Sequence, residues 1–314
     1  MNEKRLHIAL DPDAIFGKSK AYIGKALARK SNKDLDEYQL WASLALELLG
    51  KGSLAKIHPS LIVDPQNSES LLAASRINIS ADIKTITATT LFERLRRIIP
   101  SFDEAVKKFC VSIALRRNAE LHSGDTPFRS MRLDAWEKQY WHASQIILHH
   151  MDSSLDDWLG VSQAQSPKVI IKLAAEAKYH AVTVRVERAG EEFKALPKRD
   201  REERLMTAQR IRPNNYKNYF TFLDDHVWKS RCPACEGKAL ITGVRIDEDI
   251  VDVYSDEDRT WEQVETYYSA EQFSCPSCNL FLDGADEIEY AQLDINYSEI
   301  QEREIEYEPD YGND

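Results

Sequence analysis

Residues 104 to 122 read Glu-Ala-Val-Lys-Lys-Phe-Cys-Val-Ser-Ile-Ala-Leu-Arg-Arg-Asn-Ala-Glu-Leu-His, and this stretch predicts the helix around which the first half of the fold is built. Its apolar residues recur at steps of three and four, the spacing of one helix face: Val106, Phe109, Cys110, Ile113 and Leu121. Gly124 follows, and a glycine just past a helix often adopts the left-handed conformation that ends it. We therefore expect a buried helix over residues 104–122 that ends at Gly124.

The end of this helix carries side chains suited to cutting RNA without a metal ion. Arg117 is a permanent planar cation that can bind a phosphate and stabilise the charge that builds on it. His122 titrates near neutral pH and can act as general acid or base, while Asn118 can orient either residue or the substrate. The alternative interpretation is an arginine and a histidine that are solvated at a helix end. Because the 2′-hydroxyl of RNA would be the nucleophile, the expected products carry a 2′,3′-cyclic phosphate.

The pattern Arg117-Asn118-x-x-x-His122 resembles the motif of the HEPN superfamily, small all-helical domains of which many are endoribonucleases of defence and toxin systems. Parts of that superfamily carry Glu-x-x-x-Lys on an earlier helix, and Glu47 and Lys51 match it. The resemblance covers residues 35 to 155. It implies a helical bundle in which Arg117, Asn118 and His122 act on RNA and in which Glu47 and Lys51 support them. Alternatively, Glu47 and Lys51 form an ordinary ion pair along one helix.

The spacing of the two catalytic candidates predicts a dimer. Positions five apart on a helix differ by about 140° in direction, so Arg117 and His122 cannot easily meet on one phosphate from a single helix. Two copies related by a two-fold axis would build one cleft from two motifs, as HEPN nucleases generally do. We expect a homodimer through the helical bundle and an RNA substrate. A nuclease of this kind also implies a regulatory or neutralising protein partner.

Four further arginines are candidates for contacts with the RNA backbone, because phosphate binding relies on Lys and Arg side chains. Arg94, Arg96 and Arg97 lie on a helix predicted over residues 87–99, which Pro100 ends. Arg116 precedes the catalytic candidate Arg117 and points elsewhere on its helix. We expect these residues to bind the substrate away from the reacting phosphate.

Two Cys-Pro-x-Cys segments organise the second half of the chain: Cys232-Pro-Ala-Cys235 and Cys275-Pro-Ser-Cys278. Each can present two thiolates to one ion from a tight turn, and four thiolates complete a tetrahedral Zn²⁺ site without an open position, hence a structural one. The segments resemble the knuckles of zinc ribbons. A redox dithiol and a pair of disulfides are the competing interpretations. Cys110, which lies among apolar residues, is expected in the core.

The acidic residues are concentrated at one end of the chain. Residues 283–314 hold twelve acidic residues and Arg303, a balance of −11 that equals the formal net charge of the whole chain. The preceding residues are therefore formally neutral, and the charge does not exclude RNA binding. The acidic segment is either a solvated terminus or a polyanion that competes with RNA or docks on a basic partner. Alternating apolar residues predict that part of it is a strand.

These signals predict an α + small β protein, with an N-terminal all-α HEPN-like bundle and a C-terminal zinc-ribbon β domain. The expected order is a lead-in over 1–34, the bundle over 35–160, a linker (162–167) and connecting helix within 161–212, the ribbon over 213–282 and the acidic segment over 283–314. Helices are predicted at 38–49, 68–74, 87–99, 104–122, 134–159, 168–189 and 198–212. No apolar run is long enough to cross a membrane and no secretory segment is recognisable, so we expect a cytoplasmic protein.

Two functions fit this organisation. The first is a metal-independent endoribonuclease in an antiphage defence or toxin–antitoxin setting. The second is a non-catalytic, dimerising adaptor with the same bundle, whose zinc ribbon and acidic tail dock a protein partner.

Overall fold

The computed structural model of the chain describes residues 6–77, 82–129, 131–255 and 259–305. It divides the chain into two compact units, Met1–Glu176 and Ala177–Asp314, which we call the helical unit and the sheet unit. The first is built from helices and the second around an antiparallel sheet, so the α+β class predicted from the sequence is confirmed.

The secondary structure elements follow in chain order. The helical unit contains α1 (Pro12–Ser31), α2 (Leu35–Ile57), α3 (Ser68–Ala74), α4 (Ala88–Ile98), α5 (Glu104–His122), α6 (Leu133–His150), α7 (Leu155–Leu159) and the start of α8 (Val161–Ala195). The sheet unit contains the remainder of α8, then α9 (Lys198–Gln209), β1 (His226–Arg231), β2 (Lys238–Ser255), β3 (Thr260–Ser274), β4 (Phe281–Asp283), α10 (Ala285–Tyr290) and β5 (Asn296–Glu304). Short 3-10 turns lie at Ile8–Leu10, Pro59–Ile62 and Pro213–Asn218. Among the described residues no helix combines the length and the hydropathy needed to cross a bilayer.

The predicted lead-in over residues 1–34 is mostly a helix of the core. Asp11 caps α1, since its carboxylate accepts a hydrogen bond from the amide of Ala14 at 2.9 Å, and Pro12 occupies the first turn, where its missing N–H is not needed. Ile15 and Ile23 are buried in the same hydrophobic cluster as the apolar residues of α2. The helical unit therefore begins well before residue 35.

Helix α2 continues to Ile57, beyond the end predicted at residue 49. Gly50 lies inside the helix, and a Cβ atom there would lie 3.0 Å from Leu95 Cδ1 and 3.3 Å from Leu91 Cδ2 of α4. A hydrogen in place of a side chain lets the two helices approach closely, which offsets the low helix propensity of glycine.

The helices predicted at 68–74, 87–99 and 104–122 are confirmed by α3, α4 and α5. The predicted role of Gly124 is wrong, because α5 ends at Ser123 in extended backbone with φ −134° and ψ 175°. The helix predicted at 134–159 is two helices. A turn with Asp152 at φ 55° separates them, and Ser154 and Asp157 form a capping box that starts α7.

The linker predicted at 162–167 is also wrong, since α8 runs through it with Pro167 inside the helix. Pro167 has no N–H to donate to the carbonyl of Gln163, so α8 lacks one backbone hydrogen bond there. The helix predicted at 168–189 lies within α8, and α9 agrees with the helix predicted at 198–212.

Strand β3 is the centre of the sheet. It pairs with β2 along its whole length, while its other side pairs with β5 from Trp261 to Ser269 and with β4 from Gln272 to Ser274. Strand β1 pairs only with the Lys238–Gly243 part of β2. The three-stranded extension beyond β1 consists of residues 244–255, 260–268 and 296–304, and we call it the arm.

The boundary predicted at residues 282 and 283 does not divide the sheet unit. Strand β4 crosses it, and β5 places residues 296–304 of the acidic segment on β3. The predicted strand character of this segment is thereby confirmed, whereas residues 306–314 lie outside the described part of the chain. Pairing with β3 satisfies the backbone groups on one side of β5 that a solvated tail would leave to water.

Candidate functional site: a buried arginine cluster and a four-cysteine centre

The catalytic candidate Arg117 belongs to the buried stripe of α5. Val106, Cys110 and Ile113 face the core as predicted, but Arg117 continues this stripe and is only 8% exposed, whereas Leu121 is 50% exposed. Arg117 lies four positions after Ile113, one helical turn further along the same face. The prediction that Leu121 is buried is therefore wrong. At the end of this helix the side chain that points toward the core is that of Arg117, a charged residue.

Arg117 meets the two supporting candidates of α2. Its Nη1 donates a hydrogen bond to Glu47 Oε2, and the other carboxylate oxygen of Glu47 accepts from Lys51 Nζ at 2.9 Å. Lys51 Nζ also donates to Thr85 Oγ1 at 3.0 Å. The side chain of Asn118 joins them, because its Oδ1 accepts from Arg117 Nη2 at 2.8 Å and from Nε at 3.2 Å. We call Glu47, Lys51, Arg117 and Asn118 the arginine cluster.

The electrostatics of the arginine cluster favour an ionised carboxylate with a surplus of positive charge. Burial raises the pKa of Glu47. The nearby charges of Lys51 and Arg117, together with their hydrogen bonds, lower it by more than burial raises it, so the pKa lies below its ordinary value. One carboxylate then neutralises one of two cations. The cluster carries a formal charge of +1, which suits contact with an anion.

His122 does not join the arginine cluster of its own chain. It is exposed at the last position of α5, while Arg117 is buried, so the two side chains leave the helix in different directions, as the spacing predicts. Asn118 is exposed as well and lies between them in sequence. Within one chain the four residues of the cluster are brought together, and His122 is not.

Three of the four arginines expected to bind the RNA backbone have contacts within the helical unit. Arg94 Nη1 donates to the carbonyl of Leu61 at 2.6 Å, and Arg96 Nε lies 2.9 Å from Glu104 Oε2. The carbonyl of Pro127 accepts from Arg116 Nη1 at 3.2 Å. Arg97, by contrast, is exposed. The first three therefore stabilise the fold, and Arg97 is the member of the set with an exposed side chain.

The four cysteines predicted as metal ligands come together in the sheet unit. Cys232 and Cys235 lie in the turn between β1 and β2, and Cys275 and Cys278 lie between β3 and β4. The Sγ atoms of Cys232 and Cys278 are 3.5 Å apart, as are those of Cys235 and Cys275, and all four lie within 4.8 Å of one another.

Both turns have the same backbone hydrogen bonds. The amide of Glu236 donates to the Cys232 carbonyl at 2.9 Å, and the amide of Asn279 donates to the Cys275 carbonyl at the same distance. Glu236 and Asn279 have φ angles of 59° and 60°, in the left-handed region where glycine is the usual residue. Asparagine tolerates this conformation, whereas glutamate adopts it at a cost of about 1–2 kcal/mol. The turn geometry therefore persists without the expected glycine.

The spacing of the sulfur atoms suits a tetrahedral ion. Four thiolates at the usual Zn–S distance of about 2.3 Å would lie roughly 3.8 Å from one another, close to the separations between the sulfur atoms of the four cysteines. Hydrogen bonds from Cys232 and its neighbours lower the pKa of Cys275, which favours the thiolate form that binds a metal ion. These four cysteines could hold a metal ion, and a complete set of protein ligands would leave no position for substrate.

Two glycines let helices pack against the first cysteine turn. Gly237 follows the first Cys-Pro-x-Cys segment, where a glycine is expected to serve a positive φ, but the residue with positive φ in this turn is Glu236. A Cβ atom on Gly237 would lie 2.7 Å from Leu205 Cδ2 of α9 and 3.3 Å from Cys235 Sγ. A Cβ on Gly190 of α8 would lie 2.9 Å from the carbonyl oxygen of Ala234. Nothing in the local sequence indicates that a helix approaches closely at either glycine.

Cys110 is fully buried in the helical unit, as predicted, and burial raises the pKa of its thiol. A protonated, inaccessible thiol is unreactive. Cys110 is therefore a core residue.

Comparison with known proteins leaves the family open. A scan against protein-family models finds no match to this chain, and searches of curated proteins and of solved structures find none either. The resemblance to HEPN domains and to zinc ribbons therefore rests on the sequence motifs quoted above.

Proposed function

We propose that the helical unit is a HEPN-type endoribonuclease that cleaves single-stranded RNA without a catalytic metal ion, in an antiphage defence or toxin–antitoxin setting. One observation carries the proposal. Glu47 and Lys51 of α2 hold Arg117 and Asn118 of α5 in a single hydrogen-bonded cluster. These are four of the five residues that match the HEPN patterns, although the two pairs are far apart in sequence.

The contacts suggest a role for each residue. Lys51 orders Glu47, and Glu47 orders the guanidinium of Arg117. Three of the five N–H donors of that guanidinium contact Glu47 and Asn118 among the described residues, so the other two can reach phosphate oxygens. Arg117 would thus stabilise the pentavalent phosphate, and Asn118 would fix its orientation.

His122 would move the proton. As general base it takes the proton of the 2′-hydroxyl while the 2′-oxygen attacks phosphorus; as general acid it protonates the departing 5′-oxygen. The P–O5′ bond breaks, which leaves a 2′,3′-cyclic phosphate on one fragment and a 5′-hydroxyl on the other. Its exposure on α5 suits a residue that must reach substrate.

We infer that the cleft forms between two copies of the chain. Arg117 and His122 leave α5 in different directions, so His122 of one copy would serve the arginine cluster of the other. The end of α5 also carries apolar surface, with Leu115 58% exposed and Leu121 50% exposed. Exposed leucines beside an arginine cluster that lacks a histidine of its own chain favour contact between two copies.

We also propose that the four-cysteine centre holds one structural zinc ion and that the surrounding turns form a zinc ribbon. An all-thiolate tetrahedral set is typical of structural zinc. Metal analysis of the purified protein should find about one equivalent of zinc per chain, and less than half an equivalent would contradict the assignment.

The nuclease is tested by cleavage of a mixed-sequence single strand in the presence of EDTA, under conditions that leave the cysteine-bound metal in place. Wild-type protein should cut and release cyclic phosphate ends, whereas His122→Ala and Arg117→Gln should not. His180→Ala, which removes an exposed histidine from α8, is the matched control and should cut normally. Equal cutting by all four proteins would point to contamination, and 5′-phosphate ends would contradict the mechanism.

A second candidate is the non-catalytic adaptor, and the burial of Arg117 favours it. A guanidinium that is 8% exposed and paired with Glu47 can serve stability alone. In that case wild-type protein leaves RNA intact even as a dimer, and Arg117→Gln changes only its stability.

A further inference from the structure

The two faces of the arm can be assigned from strand register. Side chains along a strand alternate between faces, and directly paired residues point to the same face. Residues 261, 263, 265 and 267 of β3 therefore share one face with their partners on β2 and β5. Residues 262, 264, 266 and 268 share the other. We call the first the acidic face and the second the paired face.

Glutamates on the paired face are matched by arginines of the arm. Arg245 Nη1 donates to Glu248 Oε2 at 3.0 Å. Arg303 Nε donates to Glu262 Oε1 at 2.6 Å, and its Nη1 lies 3.7 Å from Glu248 Oε1. Both arginines of the arm are thus engaged with carboxylates of their own face.

The acidic face lacks this compensation. Six carboxylates lie on it: Asp247, Asp249, Asp252, Glu265, Glu302 and Glu304. Among the described residues, the cation beside them is Arg259, just before β3, whose Nε lies 3.5 Å from Glu304 Oε1. The two faces of the arm therefore differ in charge, although both are formed by the same three strands.

Aromatic and apolar side chains share the acidic face. Tyr254, Trp261 and Tyr267 lie on it by register, as does Ile300, which is 59% exposed. The hydroxyl of Tyr267 donates to Glu265 Oε2 at 2.9 Å. The face thus combines fixed carboxylates with rings whose faces can receive a cation.

Hydrogen bonds keep one of these carboxylates ionised. Ser298 Oγ donates to Glu265 Oε1 at 2.7 Å, and this bond together with that from Tyr267 lowers the pKa of Glu265. These two hydrogen bonds therefore stabilise the ionised form of the carboxylate in the middle of the face and fix its position.

We propose that the acidic face of the arm binds an extended, arginine-rich segment of a protein partner. Guanidinium groups pair bidentately with carboxylates and stack on tyrosine and tryptophan rings, so they match both components of the face. A lysine is a point charge and uses the rings less well. RNA and a second copy of this face would both bring negative charge to negative charge, which disfavours them. This inference is independent of the proposed nuclease.

The test is direct binding of a short labelled peptide, in which arginine alternates with threonine, to the full-length zinc-loaded protein by fluorescence anisotropy. The disrupting variant removes four charges with little change of shape: Asp249→Asn, Asp252→Asn, Glu265→Gln and Glu302→Gln. The control variant removes four exposed charges from α8 and α9: Glu187→Gln, Glu191→Gln, Asp200→Asn and Glu203→Gln. Both variants have the same net charge, so the comparison isolates the face from the overall field.

Wild type and control variant should bind alike, and the disrupting variant should bind roughly tenfold or more weakly, because each exposed pair contributes about twofold to fivefold. Tyr254→Leu should weaken the arginine peptide about twofold to fivefold through loss of the cation–π contact and affect a lysine–threonine peptide less. Equal weakening in both charge variants would overturn the proposal, as would absent binding of the arginine peptide by wild type. Equal binding of a glutamate–threonine peptide or of single-stranded RNA would do the same.

Discussion

Replacement of Glu47 by glutamine is the sharpest test of the arginine cluster. Glu47 is the carboxylate between Lys51 and Arg117, and its side chain is 17% exposed. Removal of one partner of a buried ion pair costs about 3–5 kcal/mol, since the remaining charge stays buried without compensation. Because water still reaches part of the site, we expect the lower end of this range, a loss of about 3 kcal/mol in the free energy of unfolding.

Urea unfolding followed by far-ultraviolet circular dichroism measures this loss, and the chain offers a matched control. Glu37 pairs with Arg29 at 2.9 Å, the same separation as Lys51 and Glu47, but the side chains of that pair are 44% and 46% exposed. Glu37→Gln should therefore cost less than about 1 kcal/mol. Equal losses for Glu37→Gln and Glu47→Gln would refute the claim that burial makes the cluster a strong element of the fold.

The loss should also depend on pH. Lys51 and Arg117 outweigh burial and lower the pKa of Glu47 in the folded protein, so folding favours its ionised form. This contribution is fully present above the unfolded pKa of about 4.3 and disappears as pH falls through the folded pKa. The difference in stability between wild type and Glu47→Gln should therefore shrink as pH is lowered from 7 to below about 4. A constant difference would show that Glu47 acts by shape and not by charge.

Three further predictions follow from the geometry. Gly237→Ala should destabilise the sheet unit by about 1–3 kcal/mol, measured by urea unfolding, because a Cβ there would lie 2.7 Å from Leu205 Cδ2. Cys278→Ser should lower the metal content of the purified protein and chelation should unfold the sheet unit, as followed by metal analysis and circular dichroism; unchanged metal content would remove Cys278 from the centre. If the proposed dimer forms, Leu115→Glu should convert it to a monomer in sedimentation velocity, whereas Leu173→Glu, which alters a leucine of similar exposure (59% against 58%), should not.

Much of the secondary structure can be predicted from signals that lie close together in the sequence. Helix α5 has the bounds predicted from the repeat of apolar residues along one face. The structure adds Asp103 as its N-cap, whose carboxylate accepts from Val106 N at 2.8 Å. The cysteine turns were predictable for the same reason, since the chemistry of a Cys-Pro-x-Cys turn lies within four consecutive residues. Asp11 and Pro12 are a helix start signal that the predicted lead-in over residues 1–34 left unused. Pro167 favours a break at residues 162–167, but α8 continues through it.

The candidate site was predictable as a set of residue types and not as an arrangement. Glu47, Lys51 and Arg117 could each be named from motif spacing, but the inward direction of Arg117 and the exposure of His122 depend on where α5 packs against α2. The contact between Lys51 and Thr85 had no signal at all, since nothing in the sequence links the two positions.

The sequence by itself determined the elements and the residue chemistry: the helix with its Arg-Asn-x-x-x-His end, the paired cysteine turns and the excess of acid near the C-terminus. Periodicity, caps and ligand spacing depend on residues that are neighbours along the chain, so they can be recognised in the sequence. Only the tertiary structure decided that Arg117 is held by a carboxylate on another helix, and that β5 joins the sheet and leaves one face of the arm uncompensated. Such contacts join residues distant in sequence, and their free energy depends on burial and register, which exist only once the chain has folded.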